Sequence, residues 1–174
     1  MPISSLKEAI RDVPDFPSKG IIFKDITPVL SSPELFKSAI QQMVARLDKF
    51  RVDKIVGVDA RGFIFGAAMA YEMGVGFVPA RKAGKLPWDC VSESYDLEYG
   101  SATLELHEDA VSADDEVVIV DDLLATGGTA KAVAKLVEKI GARVQHISFF
   151  VELEFLPGRE TLEGYSVDSL LQFK

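Results

Sequence analysis

Apolar residues along this chain recur in two rhythms, and the alternation of those rhythms predicts most of the elements. Phe36, Ile40, Met43, Val44 and Leu47 fall at helical spacing behind Ser32-Pro33, an N-cap and a first-turn proline, so a helix is expected over Pro33–Phe50. Lys54–Asp59 reads as a short apolar strand ending in an acid, followed by Arg61-Gly62 and a small-residue helix through Ala67, Ala68 and Ala70 to Gly74. Gly76–Ala80 reads as a second strand, and the cationic stretch Arg81 to Lys85 follows it. No regular period runs from Leu86 to Glu93; Tyr95–Tyr99 and Ala102–His107 alternate as two strands joined at Gly100-Ser101. Val117–Val120 is a wholly apolar strand, Gly128–Ile140 a helix stopped by Gly141, and Val144–Val151 another strand. The chain closes with a turn at Pro157-Gly158, a helical turn at Arg159–Leu162 and a strand near Leu170. At the other end, Ser5-Leu6-Lys7-Glu8 has the form of a capping box opening a helix that stops before Pro14. Pro14 and Pro17 then impose an extended, turning path that leads to the short apolar run Ile21-Ile22-Phe23.

Continuous apolar strands alternating with helices define an α/β protein with a mostly parallel sheet and helices on both faces. The hairpin between Tyr95 and His107 reads as an addition to that core. A length of 174 residues suits a single domain. A formal net charge of −8 argues against nucleic-acid or anionic-membrane partners held by a broad basic surface, while leaving room for a small anion bound by a few local cations. No apolar run is long enough to span a bilayer, and the N-terminal segment has no signal-like apolar core. One cysteine, Cys90, allows no internal disulfide, so a cytoplasmic setting is expected. Neither His107 nor His146 has a neighbouring Cys/His cluster of the kind that holds zinc.

The segment with most chemical content is VVIVDDLLATGGTAKAV, Val117 to Val133. In an open α/β sheet, ligands bind beyond the carboxyl ends of the strands. Here such an end carries Asp121 and Asp122, then the loop Ala125-Thr126-Gly127-Gly128-Thr129, then a helix. The first amides of a helix have no internal partner, and its dipole adds positive potential. Glycines allow close backbone approach and the threonines supply hydroxyls, so the loop is suited to a phosphate. The two carboxylates would repel that phosphate; they suit sugar hydroxyls or a divalent cation. A phosphate at one end with vicinal hydroxyls beside it describes a ribose 5-phosphate. The plainer alternative, a tight turn with solvated aspartates, leaves the coincidence of two acids, two glycines and two threonines unexplained. There is no G-x-x-x-x-G-K-[ST] and no G-x-G-x-x-G after a strand, which excludes the commonest nucleotide-binding loops.

VVIVDDLLATGGT is similar to the phosphoribosyl pyrophosphate signature of the type I phosphoribosyltransferases. The segments PDFPSKGIIFKDITPVL, GVDARGFIFG, RKAGKLP, SYDLEYG and, more weakly, FVELEFLPGRE resemble the adenine-using branch of that family over nearly the whole chain. The resemblance implies one phosphoribosyltransferase domain over residues 1–174, with an N-terminal hood and base-recognition segment over 1–30 and a lid loop and hairpin over 82–107. It implies transfer of the 5-phosphoribosyl group from phosphoribosyl pyrophosphate to adenine, with Mg²⁺, in a cytoplasmic homodimer. By the same resemblance, Ala125, Thr126, Gly127, Gly128 and Thr129 would hold the 5-phosphate, and Asp121 and Asp122 would face the ribose hydroxyls. Mg²⁺ would come with the substrate, with Asp121 or Asp122 its possible protein contact. Asp59, Ala60, Arg61 and Gly62 resemble the pyrophosphate loop, which in this family often contains a non-proline cis peptide, here between Asp59 and Ala60. Arg81, Lys82 and Lys85 would close over the pyrophosphate. Glu98 would lie near the purine as proton acceptor or relay, with Tyr99 beside it. Ile22, Phe23 and Lys24 match the segment that recognises the base, Lys24 standing where an arginine is common.

Cleaving the bond from ribose carbon 1 to pyrophosphate leaves an oxocarbenium-like centre and a heavily charged leaving group, so cations at the pyrophosphate and a cover against water fit the chemistry. Three plainer assignments stay open from the residues alone: a salt bridge of Arg61 with Asp59, a solvated loop at Arg81–Lys85, and a solvated carboxylate at Glu98. Phe23 is equally a core residue or a base-stacking platform. Two other functions are consistent with the loop: a transferase for a 6-oxopurine, favoured if a lysine addresses the 6-position, and a non-catalytic phosphoribosyl pyrophosphate sensor. The sensor would be expected to carry a DNA-binding module and a basic face, and the sequence has neither.

Overall fold

The computed structural model describes residues 1–96 and 100–174. The chain divides into two compact units, Met1–Gln42 and Met43–Lys174. The hood boundary expected at residue 30 therefore lies inside the first unit.

In the first unit, helix α1 (Ile3–Ala9) precedes strands β1 (Arg11–Pro14) and β2 (Ile22–Asp25), then helices α2 (Thr27–Ser31) and α3, which runs from Pro33 and continues to Ala45. Strands β1 and β2 form an antiparallel pair in which Val13 faces Phe23 and Pro14 faces Ile22. The Phe16–Pro17 peptide between them is cis. The capping box expected at Ser5 does not form: α1 begins at Ile3 with no side-chain cap, and the chain is extended again by Arg11. Ser32 does cap α3, its Oγ accepting from Leu35 N at 3.3 Å. That helix stops at Ala45, short of the expected Phe50. Three-residue turns follow, Leu47 N to Val44 O and Phe50 N to Leu47 O. Leu47 stays buried, so the apolar period outlasts the helix that it was taken to mark.

The second unit is built on one seven-stranded sheet: β3 (Lys54–Val58), β4 (Gly76–Lys82), β5 (Cys90–Asp96), β6 (Ser101–His107), β7 (Glu116–Leu124), β8 (Arg143–Leu153) and β9 (Val167–Phe173). In space the order is β5-β6-β4-β3-β7-β8-β9. The run from β4 to β9 is parallel, and β6 joins β4, and β5 joins β6, antiparallel. The hairpin is thus the antiparallel edge of the main sheet rather than an appendage. Its first strand starts at Cys90, five residues before the expected Tyr95, because each residue from Cys90 to Asp96 finds a partner on β6.

Helix α4 (Gly62–Met73) follows β3, helix α5 (Gly128–Ile140) follows β7, and the single turn α6 (Gly158–Thr161) follows β8. α4 and α5 cover opposite faces, as strand alternation requires. Val56 and Val58 belong to the core cluster under α5, with Ala130, Val133, Ala134 and Val137. Ile55 and Gly57 meet Gly66 of α4 and the ring of Phe77 instead. Val117, Val118, Ile119 and Val120 are all fully buried, as a strand covered on both faces must be. Most of the driving force is this two-sided apolar burial, worth ~25 cal/mol per Å² removed from water. Among the described residues no helix is long and apolar enough to cross a membrane.

Candidate active site

The parallel strands end together and bring the candidate residues of the second unit to one edge. Val58 pairs with Ala80 and Gly57 with Val120, so Asp59, Arg81, Asp121 and Asp122 lie one or two residues past these pairs on adjacent strands. Two strands run further than expected. Arg81 and Lys82 are the last residues of β4, held by pairing of Arg81 with Glu105 and Lys82 with Leu104 on β6. Asp121 and Asp122 lie within β7, which continues to Leu124; Asp121 pairs with Phe149 and Leu124 with Glu152. The acids are therefore held by a rigid ladder, with the loop starting only at Ala125.

The Asp59–Ala60 peptide is cis, as the family resemblance implied, and Asp59 N donates to Ala80 O at 2.9 Å. Arg61 stands at the N-cap of α4. Its Nε lies 2.8 Å from Asp122 Oδ2, and Asp122 is only 5% exposed. Beside the pairing of Arg61 with Asp122, Asp59 faces Arg81, Nε to Oδ2 at 3.4 Å. Arg81 Nη1 also donates to Lys85 O at 3.1 Å, which bends the cationic stretch into a turn. Gly84 N donates to Glu105 Oε2 at 2.9 Å and fixes that turn against β6. Lys82 and Lys85 are exposed.

Burial, joined by the negative charge of Asp122, pushes the Asp121 carboxyl well above the usual carboxylate range. Burial also raises Asp122, where the Arg61 guanidinium and the hydrogen bond with Asp121 pull the other way. Asp122 N donates to Asp121 Oδ1 at 2.8 Å. A Cβ on Gly62 would come within 2.8 Å of Asp121 Oδ1, so the start of α4 abuts the acid pair. Two crowded carboxyls beside Arg61, with Arg81 held on the neighbouring Asp59, form a site that attracts a polar ligand carrying both hydroxyls and negative charge. Among the described residues no group of three or more His, Cys, Asp or Glu side chains is arranged to hold a metal ion. The acid pair alone suits an ion such as Mg²⁺, which keeps several waters and takes its other oxygens from a substrate.

The loop from Ala125 to Thr129 leads into α5, and Gly127, at φ +82°, occupies the N-cap. Among the described residues no side chain caps this helix, so its first amides are left to a ligand or to water. The loop is supported on two sides. From β5, Tyr95 Oη lies 3.2 Å from Thr129 Oγ1, and the Tyr95 ring lies over Gly128. From α6, the backbone of Gly158 is packed directly against it. A Cβ on Gly127 would sit 2.8 Å from Gly158 O, and one on Gly158 would sit 2.5 Å from Ala125 O. The α6 turn is tied down by Arg159, whose Nε and Nη2 donate to the buried Glu152 at 2.8 and 2.7 Å, while Nη1 donates to Val167 O at 2.8 Å. The Arg159 hydrogen bond holds Glu152 below the usual carboxylate range. Sequence reasoning assigned no role to Tyr95, Glu152, Gly158 or Arg159. A signal was present for Tyr95 in SYDLEYG and for the other three in FVELEFLPGRE, segments that were read only as a resemblance.

In the first unit, Ile22, Phe23 and Lys24 lie side by side on β2. Ile22 is exposed, Phe23 meets Phe16 edge-on at 5.2 Å, and Lys24 Nζ pairs with Asp12 at 2.6 Å. Glu98 and Tyr99 lie outside the described residues.

A parallel sheet whose carboxyl edge carries paired acids, a cation loop and an uncapped helix start defines a protein that handles a phosphorylated sugar. Residues 29–154 match the family model described as phosphoribosyl transferase domain, and the chain belongs to that family. Its relatives give the branch. It is 55% identical to the adenine phosphoribosyltransferase of Solidesulfovibrio magneticus over 96% of this chain and 98% of that protein. The crystal structure of adenine phosphoribosyltransferase from Thermoanaerobacter pseudethanolicus superposes with a TM-score of 0.97 at 53% identity, covering 99% of this chain and 100% of that one. The enzyme from Saccharomyces cerevisiae, crystallised with adenine and an imino-altritol bisphosphate, gives 0.92 at 43% identity, covering 97% and 98%.

Proposed function

We infer that this protein is an enzyme that transfers the 5-phosphoribosyl group from phosphoribosyl pyrophosphate to adenine, forming AMP and pyrophosphate. The observation that carries this reading is the uncapped start of α5 beside the Asp121–Asp122 pair, set in a chain matched end to end by adenine phosphoribosyltransferases.

In this reading the whole chain is one catalytic domain. The amides and hydroxyls of Ala125, Thr126, Gly127, Gly128 and Thr129 bind the 5-phosphate at the positive end of α5. Asp121 and Asp122 accept hydrogen bonds from the ribose hydroxyls. Asp59, Ala60 and Arg61 line the pyrophosphate, and Arg61, Arg81, Lys82 and Lys85 balance its charge as it departs. The arginines' present pairing with Asp122 and Asp59 supports this division: each cation waits on an acid of the same site, and a pyrophosphate offers it a more charged partner. Ile22, Phe23 and Lys24 bind the adenine, and Glu98, with Tyr99 beside it, receives or relays the proton that adenine loses. Asp121 or Asp122 would meet a Mg²⁺ brought by phosphoribosyl pyrophosphate, which would supply charge neutralisation at the leaving group.

The working form is a cytoplasmic homodimer. The outward face of α4 supports association, since Ile64 and Tyr71, two turns apart, are 41% and 89% exposed. The single cysteine, unpaired, is in keeping with a reducing compartment. The test is incubation of the protein with adenine, phosphoribosyl pyrophosphate and Mg²⁺, with AMP followed by chromatography. AMP formation is expected; product from hypoxanthine or guanine in place of adenine would overturn the base assignment. Sedimentation reads the dimer separately.

A further inference from the structure

Strand β5 is fastened to α5 at three levels. Its alternate residues Val91, Glu93 and Tyr95 point inward. Glu93 binds Lys135 at 3.2 Å and also Lys139, and Lys139 Nζ donates to Ser92 O at 2.9 Å. These lower attachments are lysine contacts at the protein surface, and such pairs contribute little individually. The third is of a different kind. Thr129 Oγ1 donates to Tyr95 Oη at 3.2 Å across 34 residues of sequence, in the first turn of α5. The Tyr95 ring is half-buried against the core cluster and covers Gly128, where an added Cβ would stand 3.5 Å from its Cδ2.

We propose that Tyr95 is a positioning residue for the 5-phosphate, acting by orienting the hydroxyl of Thr129. The proposal rests on the reading of residues 125–129 as the phosphate loop. A hydroxyl has one proton to donate and two lone pairs to receive with. In the unliganded protein the Thr129 proton goes to Tyr95. When a phosphate enters the loop, that proton turns toward a phosphate oxygen, and the Tyr95 O–H donates to the lone pair left on Thr129. The reversal turns two O–H bonds and needs a small adjustment of the oxygens, since in the unliganded geometry it is Thr129 Oγ1 that is placed to donate. The resulting chain, Tyr95 to Thr129 to phosphate, leaves every polar atom satisfied, and its bonds polarise one another in the direction that strengthens the contact with the anion. Packing already fixes the phenol ring, so it holds Thr129 at little further entropic cost.

The experiment compares Tyr95→Phe, Thr129→Val and the double variant, with the KM of each substrate, the Kd of AMP and the melting temperature measured for all three. Phenylalanine keeps the ring over Gly128 and removes only the hydroxyl. Thr129→Val is expected to raise the KM of phosphoribosyl pyrophosphate about 10- to 100-fold, the range for losing a hydrogen bond to a charged group. Tyr95→Phe is expected to raise it roughly 3- to 10-fold, to weaken AMP similarly and to leave the adenine KM within about twofold. The double variant is expected to match Thr129→Val alone, because without the threonine hydroxyl Tyr95 has nothing to orient. A strut role for Tyr95 would lower the melting temperature and shift both substrates together. Unchanged phosphoribosyl pyrophosphate KM in Tyr95→Phe, or multiplying effects in the double variant, overturns the proposal while leaving the phosphate loop intact. An unchanged KM in Thr129→Val overturns the phosphate-loop reading itself.

Discussion

Replacing Gly158 with alanine should damage phosphate binding from a residue that touches no substrate in the proposed reading. The backbone of Gly158 is in the ordinary negative-φ range, so alanine meets no torsional objection there; the obstacle is space. The added Cβ would stand 2.5 Å from Ala125 O, 2.7 Å from Leu124 Cδ1 and 2.8 Å from Leu124 Cγ. A carbon normally comes no nearer to a carbonyl oxygen than about 3.3 Å, so roughly 0.8 Å must be found. Leu124 is 1% exposed and cannot swing aside. α6 cannot easily retreat either, because Arg159 ties it to Glu152 and to Val167 O. Most of the displacement therefore falls on Ala125 and the loop behind it.

Overpacking of this kind costs about 1–3 kcal/mol, and a backbone obstacle belongs in the upper half of that range. At about 2–4 °C per kcal/mol for a chain of this length, the melting temperature should fall by roughly 4–12 °C. Displacing binding groups by most of an ångström should raise the phosphoribosyl pyrophosphate KM at least ~10-fold. The adenine KM should move far less. Calorimetry and initial rates with each substrate varied read both effects. Gly76→Ala is the control: its Cβ would come nearest to Lys54 Cγ, at 3.2 Å, with no backbone atom closer than 3.9 Å, and its melting temperature should fall less than that of Gly158→Ala. If Gly158→Ala keeps both its melting temperature and its KM, the close packing of α6 on the loop is wrong. If it melts early with an unchanged KM, α6 supports the fold and not the phosphate.

Three further outcomes are expected. Arg61→Ala leaves Asp122 buried without its guanidinium; since Arg61 itself is 42% exposed, the loss should be ~1–2 kcal/mol rather than the 3–5 of a fully buried pair, with kcat down at least 100-fold. An unchanged melting temperature would mean that the pair contributes nothing. Asp121→Asn relieves a carboxyl that burial and Asp122 push upward, so it should melt higher, by about 0.5–2 kcal/mol, while turning over more slowly. A lower melting temperature would contradict the crowding. Glu152, held low by Arg159, contributes stability that is full at neutral pH and is lost as pH falls from the ordinary carboxylate range, about 4, toward its lower folded value. Wild type should therefore exceed Glu152→Gln most at pH 7, and the gap in urea-unfolding free energy should narrow below about pH 4. A gap independent of pH would refute the assignment. The comparison is needed because Asp121 and Asp122, shifted the other way, favour the folded state on acidification.

What could be read from the chain beforehand divides along a physical line. Glycine stops held where the capping box at Ser5 and the period to Phe50 did not: α5 begins at Gly128 and ends at Ile140 before Gly141, and α4 stops at Gly74. Where polarity was used to end a strand, the ends came too early. β7 was expected to finish at Val120 because two acids follow, but a strand is held by its backbone ladder, and β8 offers partners as far as Glu152. β4 runs on through Arg81 and Lys82 for the same reason, its partner being the β6 arm of the hairpin. The error matters chemically, since it moves four charged candidates from loops onto rigid strands, where ion pairs such as Arg61 with Asp122 can be preset.

The same line runs through the site. ATGGT is contiguous, so residue type alone suggested a phosphate loop. Its supports are not contiguous. Tyr95 reaches Thr129 only because the hairpin, inserted between β4 and β7 in sequence, folds back as the sheet edge beneath α5. Gly158 reaches Ala125 only because β8 is parallel to β7 and returns the chain to the same edge. No spacing rule connects residue 95 or 158 to a loop at 125–129; sheet order does. Groups that touch a ligand can be named from one short segment, whereas groups that hold those in place are set by topology, which makes Tyr95 and Gly158 the more demanding tests of the fold.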